Sequence, residues 1–284
     1  MTTFKSKSFE DIPISSPSLD LSCGDGMFMF IHLGGVFSDE FDYFYSTNAS
    51  NFSHNSFVDI FNFYNENYSP RILTHPTSKI NYGTDWKDEL LKKSSKLNLY
   101  ENLLVVDNNN KLQFSDNFFK TIHSNSIYWT KNVEHLLLEL YRILQPNGKA
   151  ILQVATPHHF STLDKLDLFM PSKAMEILDR KRRETMVGLR TFEEWKKLFV
   201  KSGFKIDSIR SVYPNQLVID IWNIGLRPIS HLLIQMNDNL SPENRLRIKN
   251  EWVDIFFNLF KPFLNLTSNF SNQNSPYLCF ILSK

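Results

Sequence analysis

The chain has 284 residues, of which 42% are hydrophobic and 25 are phenylalanine, so it can bury a core and is not disordered. Its formal net charge of +1 gives no overall field that would attract a nucleic acid or an anionic membrane. Two cysteines, a polar N-terminus and no uninterrupted apolar run of about 20 residues predict a cytoplasmic protein without a signal peptide or membrane span.

Residues 1–17 are polar and are predicted to be a short lead-in. The stretch 18–28 that follows reads as the end of a buried strand, a tight glycine loop and the start of a helix. Glycines at 24 and 26 allow a ligand to approach the main chain where a Cβ would collide. Asp20, at the root of the loop, repels phosphate and attracts a cation. The loop therefore predicts a site for a positively charged ligand.

Residues 36–79 are crowded with Phe, Tyr, Asn and Ser and carry few charges. This composition predicts an ordered aromatic insertion that packs on the body of the protein as a cap, with the lining of a substrate pocket as the alternative. A second strand is predicted at 80–85 because this apolar run again ends in an acid, Asp85, and a lysine-rich helix follows it.

Further apolar runs at regular spacing predict additional strands at 103–107, 121–125, 149–155, 204–212 and 276–284. Helices are predicted between them, most clearly at about 132–144, where apolar residues fall on one face, and after the capping box of Thr191 and Glu194. Alternating strands and helices predict one α/β domain over 1–284, a mostly parallel sheet with helices on both faces. Insertions are expected at about 36–79, 157–190 and 214–270.

Three of the predicted strands end in or beside an acid, at Asp20, Asp85 and Asp107. In open parallel sheets, ligands bind beyond the carboxyl ends of the strands, near the point where the strand order reverses. One such acid alone would be read as a solvated loop carboxylate. Three in succession, beginning with a glycine loop, favour a single ligand site at one edge of the sheet.

The sequence resembles the class I S-adenosylmethionine-dependent methyltransferases. Asp20–Gly26 is similar to their first motif, an acid and a Gly-x-Gly loop after the first strand. Leu112–Ile122 is similar to their "L-P-F-x-D-x-S-F-D" segment, and Leu140–Gly148 to their "L-K-P-G-G" turn. The resemblance implies a seven-stranded Rossmann-like sheet with an antiparallel last strand, S-adenosyl-L-methionine as cofactor and no metal.

The resemblance also assigns cofactor-binding residues position by position. Asp85 matches the acid that binds the ribose; Asp39 or Asp42 would take this place if the second strand came earlier. Ser22 stands where the family usually has glycine. The complete expected set is Asp20, Ser22, Gly24, Gly26, Asp85, Asp107, Asn108 and Asn125.

The family implies methyl transfer to a small-molecule, glycan or lipid-linked acceptor. Tyr128, after the fourth predicted strand, and His159, after the fifth, are the candidate catalytic residues. A solvated loop is the alternative for His159, and packing is the alternative for Trp129, which follows Tyr128. Residues 161–190 are predicted to form a helical lid. The basic run 180–183 within it is either a solvated face or a holder of an acidic acceptor.

Two other functions stay open at this point. Another transferase of the same fold, such as an aminopropyl transferase, would need additional clustered acids; a non-catalytic protein would keep the fold and use its aromatic insertions to bind a partner. A helix is predicted to start at Ser241–Pro242. Its apolar stripe is expected to pack on the sheet or on a second copy in a homodimer, with peripheral contact to a lipid surface as the alternative.

Overall fold

A computed structural model describes residues 1–46 and 59–284, so residues 47–58 of the predicted aromatic insertion lie outside the described residues. Its main sheet has seven strands in the order β5-β4-β1-β6-β7-β9-β8. The strands of this sheet are β1 (Ser18–Leu21), β4 (Ile80–Asp85), β5 (Tyr100–Val105), β6 (Phe119–Ser124), β7 (Leu144–Ala155), β8 (Lys205–Ser211) and β9 (Tyr277–Ser283).

The sheet is parallel except for its last strand, as predicted. β9 runs antiparallel between β7 and β8, whereas β1, β4, β5, β6 and β7 pair in parallel. From β1 the chain moves outward to β4 and β5 and then returns to place β6 on the other side of β1. The strand order therefore reverses between β1 and β6, which is where an open α/β sheet binds ligands.

Helices surround the sheet, and two of them begin where their sequence signals predict. The capping box of Thr191 and Glu194 is formed, and Ser241 accepts from the backbone of Asn244 at the start of the C-terminal helix. The helices are α1 (Thr2–Lys7), α2 (Met27–His32), α3 (Asp88–Ser95), α4 (Val133–Ile143), α5 (Ser161–Leu166), α6 (Ser172–Asp179), α7 (Arg182–Thr185), α8 (Phe192–Lys201), α9 (Gln216–Asp220), α10 (Ser230–Asp238) and α11 (Pro242–Phe260).

The N-terminal segment is part of the fold and not only a lead-in. Phe4 of α1 and Phe9 are buried in the core. Gln153 of β7 donates from Nε2 to the carbonyl of Lys5 at 2.7 Å and to Ser8 Oγ at 2.8 Å. The sequence gives no sign of this arrangement, because the helix is short and its partners are far away along the chain.

The two large insertions are joined to each other. Strands β2 (Val36–Phe37) and β3 (Ile72–Thr74) form a separate antiparallel ribbon. Arg245 of α11 is buried and pairs with Asp42 at 2.6 Å and with Asp238 at 2.6 Å. We call residues 36–46, 59–74 and 230–260 the cap. β2 lies outside the main sheet, and Asp42 is paired within the cap. The alternative in which Asp39 or Asp42 takes the place of Asp85 as the ribose acid is therefore wrong.

The helical run Gln216–Asp238 is long and apolar enough, by length and composition, to cross a membrane. It contains Asp220, Arg227 and His231, so it is not the uninterrupted apolar run that the sequence analysis excludes. This run is interrupted by a π-helical turn at Ile221–Leu226 and a 3-10 turn at Arg227–Ile229. Arg227 is buried and donates to the carbonyls of Leu178 and Asp179 at 2.7 and 2.8 Å, so the run is packed against α6.

Candidate active site

The loop between β1 and α2 is a tight turn with left-handed backbone at Ser22 (φ 57°), Gly24 (φ 60°) and Gly26 (φ 77°). A Cβ added to Gly24 would meet no atom within 4 Å, whereas one added to Gly26 would lie 2.6 Å from Oγ of Ser94. Gly24 therefore faces open space, where a ligand can approach the main chain. Gly26 allows the loop to pack against α3.

Asp85, the last residue of β4, lies directly against this turn. Its Oδ2 accepts from the backbone N–H of Gly24 at 3.1 Å, and its Oδ1 accepts from that of Lys87 at 3.0 Å. Burial raises the pKa of Asp85, and the two backbone donors oppose that rise. A carboxylate has about four acceptor positions, so roughly two remain for the hydroxyls of a sugar.

The loop after β5 meets the same turn. Asn108 donates from Nδ2 to Oγ of Ser22 at 2.7 Å, which joins two residues predicted to bind the cofactor. Asp107 is exposed and accepts from the backbone N–H of Asn109 at 2.9 Å. Asn125, half-buried, follows the end of β6 directly. The structure thus brings the loops after β1, β4 and β5 together around Gly24.

Asp20, at the root of the loop, has two partners within the core. It is buried, and its two oxygens accept from the phenol of Tyr100 at 2.6 Å and from Nδ1 of His123 at 2.7 Å. Gly83 of β4 makes this possible, since a Cβ there would lie 2.7 Å from the ring of Tyr100. These two bonds join Asp20 to β5 and β6, so it acts as a positioning residue that supports the sheet beneath the loop, and its predicted contact with the ligand stays a prediction.

Asp25 is a site residue that sequence reasoning missed. Its Oδ1 accepts from the backbone N–H of Met27 at 3.1 Å, and its carboxylate hydrogen-bonds with the phenol of Tyr43 from the cap. Burial raises the pKa of Asp25. These two hydrogen bonds and the positive charge of Lys93 oppose the rise. The high aromatic content of 36–79 is the signal that could have indicated such a contact. The cap therefore holds the glycine loop directly.

The two predicted catalytic residues lie in one aromatic cluster. Tyr277, the first residue of β9, pairs with Ala155 at the end of β7. Its ring centroid is 6.1 Å from that of Tyr128 and 5.2 Å from that of His159, and all three side chains are buried. The sequence did not single out Tyr277, because it lies in an ordinary apolar edge strand. This cluster occupies the carboxyl ends of β6 and β7, beside the glycine loop in strand order.

His159 is held in its neutral form. Burial, followed by the positive charges of Arg182, Arg227 and Lys5, lowers its pKa well below the usual value. Nδ2 of Asn223 is 3.5 Å from both ring nitrogens, a distance at the limit of a hydrogen bond. At neutral pH the ring therefore has an unprotonated nitrogen, although its low pKa makes it a weak base.

A cleft of about 300 Å³ lies at the opposite edge of the sheet. Its lining includes Lys120, near the amino end of β6, and Lys149 of β7, which pairs with Thr121 beside it. Ligands of open parallel sheets bind at the carboxyl ends of the strands, so we do not assign this cleft to the reaction.

A family model described as a methyltransferase domain matches residues 68–152. The matched segment contains β4, β5 and β6 with the loops that carry Asp85, Asp107, Asn108 and Asn125. O-methyltransferase 12 of Dictyostelium discoideum is 29% identical over 116 residues, which cover 37% of this chain and 29% of that protein. The chain thus spans less than a third of the length of this curated relative.

Two solved structures with the same fold are distant from this chain in sequence. An S-adenosylmethionine-dependent methyltransferase from Thermotoga maritima matches with a TM-score of 0.51 at 11% identity, over 100% of this chain and 89% of that chain. Phosphoethanolamine N-methyltransferase 2 of Haemonchus contortus, solved with S-adenosyl-L-methionine, matches with a TM-score of 0.51 at 15% identity, over 100% of this chain and 52% of that chain. At these identities the likeness establishes the fold. The chain therefore has the class I, Rossmann-like methyltransferase fold, and its residues 68–152 match the methyltransferase-domain model.

Proposed function

We propose that this chain transfers a methyl group from S-adenosylmethionine to an acceptor bound beyond the ends of β6 and β7. One observation carries the proposal: the open turn at Gly24 lies against Asp85, and Asn108 is bonded to Ser22 in the same loop. Loops from three strands therefore form one site with the residue types that the family places there.

The charge of this site favours a cationic ligand. Asp25, Asp85 and Asp107 lie on its loops, and the ammonium of Lys87 is turned to Asp59 and Asn62 in the cap. A glycine loop on its own would suit a phosphate, but carboxylates beside it repel one. S-adenosylmethionine carries an ammonium and a sulfonium and no phosphate, so it fits where a dinucleotide would not.

The residues present fit the parts of this cofactor. Asp85 would accept from the ribose hydroxyls, Asp107 and Asn108 would bind the adenine, and the turn at Gly24 would receive the methionine portion. A hydrogen bond to a charged group contributes about 1.5–3 kcal/mol, so Asp85 is expected to provide a large share of the affinity.

When bound, S-adenosylmethionine supplies a methyl group attached to a sulfonium, and loss of this methyl group to the acceptor would turn the sulfonium into a neutral thioether. The chain's own residues then have to align the acceptor and exclude water. Tyr128 and Tyr277 form a buried wall at the acceptor side. His159, neutral at pH 7, would take the proton of a hydroxyl or amine acceptor. We expect His159→Ala to reduce turnover without weakening cofactor binding.

Calorimetry on Asp85→Ala tests the assignment. Removing the carboxylate should weaken binding of S-adenosylhomocysteine about 100-fold, because hydrogen bonds of roughly 1.5–3 kcal/mol each are lost. The matched control is Asp88→Asn, since Asp88 is an exposed acid three residues away that pairs with Lys92. Binding in Asp85→Ala equal to that of the control would contradict the assignment.

A second measurement separates enzyme from binding protein. The wild type, incubated with cell extract and a donor labelled in its methyl group, should transfer the label to an acceptor. Binding of S-adenosylhomocysteine without any transfer would instead favour the non-catalytic function.

A further inference from the structure

Three cationic side chains from separate segments converge on Tyr277. Nζ of Lys5, from α1, is 5.5 Å from the ring centre of Tyr277. The guanidinium of Arg182, from α7, lies within hydrogen-bonding reach of the Tyr277 phenol and 5.3 Å from the ring centre of Trp129. Arg227 is buried beside them, and its charge acts on His159. We call Lys5, Arg182 and Arg227 the cationic cluster.

No carboxylate in residues 1–46 or 59–284 forms an ion pair with the cationic cluster. Asp179, whose charge acts on Arg227, has its carboxylate 3.8 Å from Arg183 instead. The Nε atoms of Arg182 and Arg227 are buried, and neither has a hydrogen-bond partner among the described residues. Buried cations are normally paired, because removing a charge from water without a partner is costly.

The charges of the cluster act against one another. Burial lowers the pKa of Lys5, the neighbouring Tyr277 partly opposes this, and the charge of Arg182 lowers the pKa further. Burial and Arg182 also lower the pKa of Arg227 to about 10. Like charges at short range in a region of low dielectric constant destabilise each other. An anion placed among them would be bound strongly.

The surroundings of the cluster supply further hydrogen-bond donors. The phenols of Tyr128 and Tyr213 border Tyr277, with ring centroids 6.1 and 5.2 Å away. This group lies beyond the ends of β6 and β7, on the acceptor side of the sheet. Trp129 is 36% exposed and marks the edge of the cluster toward solvent.

We propose that the cationic cluster binds a phosphate monoester carried by the methyl acceptor, an inference that rests on the proposed function. Three cations without an ion pair among the described residues suit a dianion better than the single charge of a carboxylate. Guanidinium groups also match the several oxygens of a phosphate, to which they donate in parallel. The sheet then has an acidic side at Asp85, which would bind the methyl donor, and a cationic side at Tyr277, which would bind the methyl acceptor.

The phosphate could come from a soluble ester or from a lipid headgroup. Arg227 lies within the apolar run Gln216–Asp238, which exposes Leu217, Trp222, Leu232 and Met236. Both sources share the same chemistry at the cluster, so the experiment has one arm for each.

The soluble arm measures binding of phenyl phosphate by calorimetry to the protein loaded with S-adenosylhomocysteine. Arg182→Gln should weaken binding roughly tenfold to a hundredfold, because it removes a charged donor. Arg183→Gln is the matched control, since the next residue along α7 is exposed and pairs with Asp164 at 2.8 Å. Tyr277→Phe provides a second variant, which keeps the ring and removes the phenol; thermal unfolding confirms that each variant is folded.

The lipid arm measures sedimentation with phosphatidylcholine vesicles that contain or lack phosphatidic acid. Capture that requires phosphatidic acid and is lost in Arg182→Gln, but not in Arg183→Gln, assigns the phosphate to a lipid. Phenyl phosphate binding that depends on Arg182, together with no such capture, assigns it to a soluble ester.

The inference is overturned if neither phenyl phosphate binding nor vesicle capture depends on Arg182. Its failure can be told apart from failure of the proposed function. A wild type that binds S-adenosylhomocysteine but shows no Arg182-dependent phosphate binding refutes only the cluster's role. A wild type that does not bind S-adenosylhomocysteine refutes the proposed function itself.

Discussion

At the scale of single residues, Asp20 and Asp85 show how one sequence pattern leads to two different sets of contacts. Both are acids at the ends of neighbouring parallel strands, and Asp20 pairs in register with Gly83, two residues before Asp85. Asp85 turns to the open glycine loop, whereas Asp20 is bonded within the core to Tyr100 and His123. The difference comes from partners distant in sequence, so the local pattern cannot reveal it.

We expect Asp20→Asn to destabilise the protein and to leave the ligand contacts in place. The substitution removes a buried charge to which two side chains donate, and breaking such a network costs about 3–5 kcal/mol. Urea unfolding followed by circular dichroism measures the loss in the free energy of unfolding. Asp107→Asn, at an exposed acid, is the control and should change it by less than about 0.5 kcal/mol. Equal stability of the two variants would show that Asp20 is not a positioning residue.

His32 should make stability depend on pH. Its Nδ1 is 2.8 Å from Oγ of Ser6, and its ring stacks on Phe9 at 4.2 Å. Burial, and then the nearby His123, lower the pKa of His32 to about 4 from 6.5. Between these values the unfolded chain binds a proton that the native protein does not, so the free energy of unfolding falls as pH drops from 6.5 to 4 and is unaffected above this window.

Urea unfolding at pH 7.5 and at pH 5 checks this expectation. His32→Gln should lose less stability than the wild type between the two pH values. The slope should be reduced and not abolished, because the pKa of His159 is lowered in the same direction. His75→Gln, at an exposed ring, serves as the control. An unchanged pH dependence in His32→Gln would show that this side chain does not carry the effect.

At the scale of elements, local signals predicted most helices and strands. The apolar stripe of α4 is fully buried, and the cap of α8 forms as its sequence indicates. The predicted strand at 103–107 is displaced, since β5 spans Tyr100–Val105 and leaves Asp107 in the following loop. The role of α1 was missed because it is short and is stabilised by packing against distant residues, which leaves no periodic pattern.

Arg245 should hold the two parts of the cap together. Its guanidinium lies 3.9 Å from the ring centre of Tyr45 and pairs with Asp42 and Asp238. Arg245→Met would keep similar volume and leave the buried carboxylate of Asp42 without its partner. We expect a loss of about 3 kcal/mol in the free energy of unfolding and faster proteolysis within residues 36–74.

The control for this variant is Arg247→Met on the same helix. Arg247 is exposed and pairs only with Glu251 at 2.7 Å among the ion pairs of the described chain, so its loss should cost less than about 1 kcal/mol. If both variants are cut at the same rate, the pairs of Arg245 do not hold the cap.

At the scale of the whole molecule, the net charge of +1 conceals two regions of opposite sign. Acids line the loops of the proposed methyl-donor site, and the cationic cluster lies at the proposed methyl-acceptor site. The order of strands and the donor loops were predictable, because each motif is continuous in the sequence and follows its own strand. The proposed methyl-acceptor site could not be predicted from the sequence. Its residues Lys5, Arg182 and Tyr277 come from α1, α7 and β9 and meet only in the folded protein.

The central claim is that the open turn at Gly24 binds S-adenosylmethionine, and a calorimetric comparison of two glycine variants tests it most directly. Gly24 and Gly34 both have left-handed backbone, at φ 60° and 90°, and at neither would an added Cβ meet an atom within 4 Å. Valine should therefore strain the backbone similarly at both positions, but only the side chain at 24 would project into the proposed site. We predict that Gly24→Val abolishes binding of S-adenosylhomocysteine while Gly34→Val retains wild-type affinity. Equal affinity in the two folded variants would contradict the account.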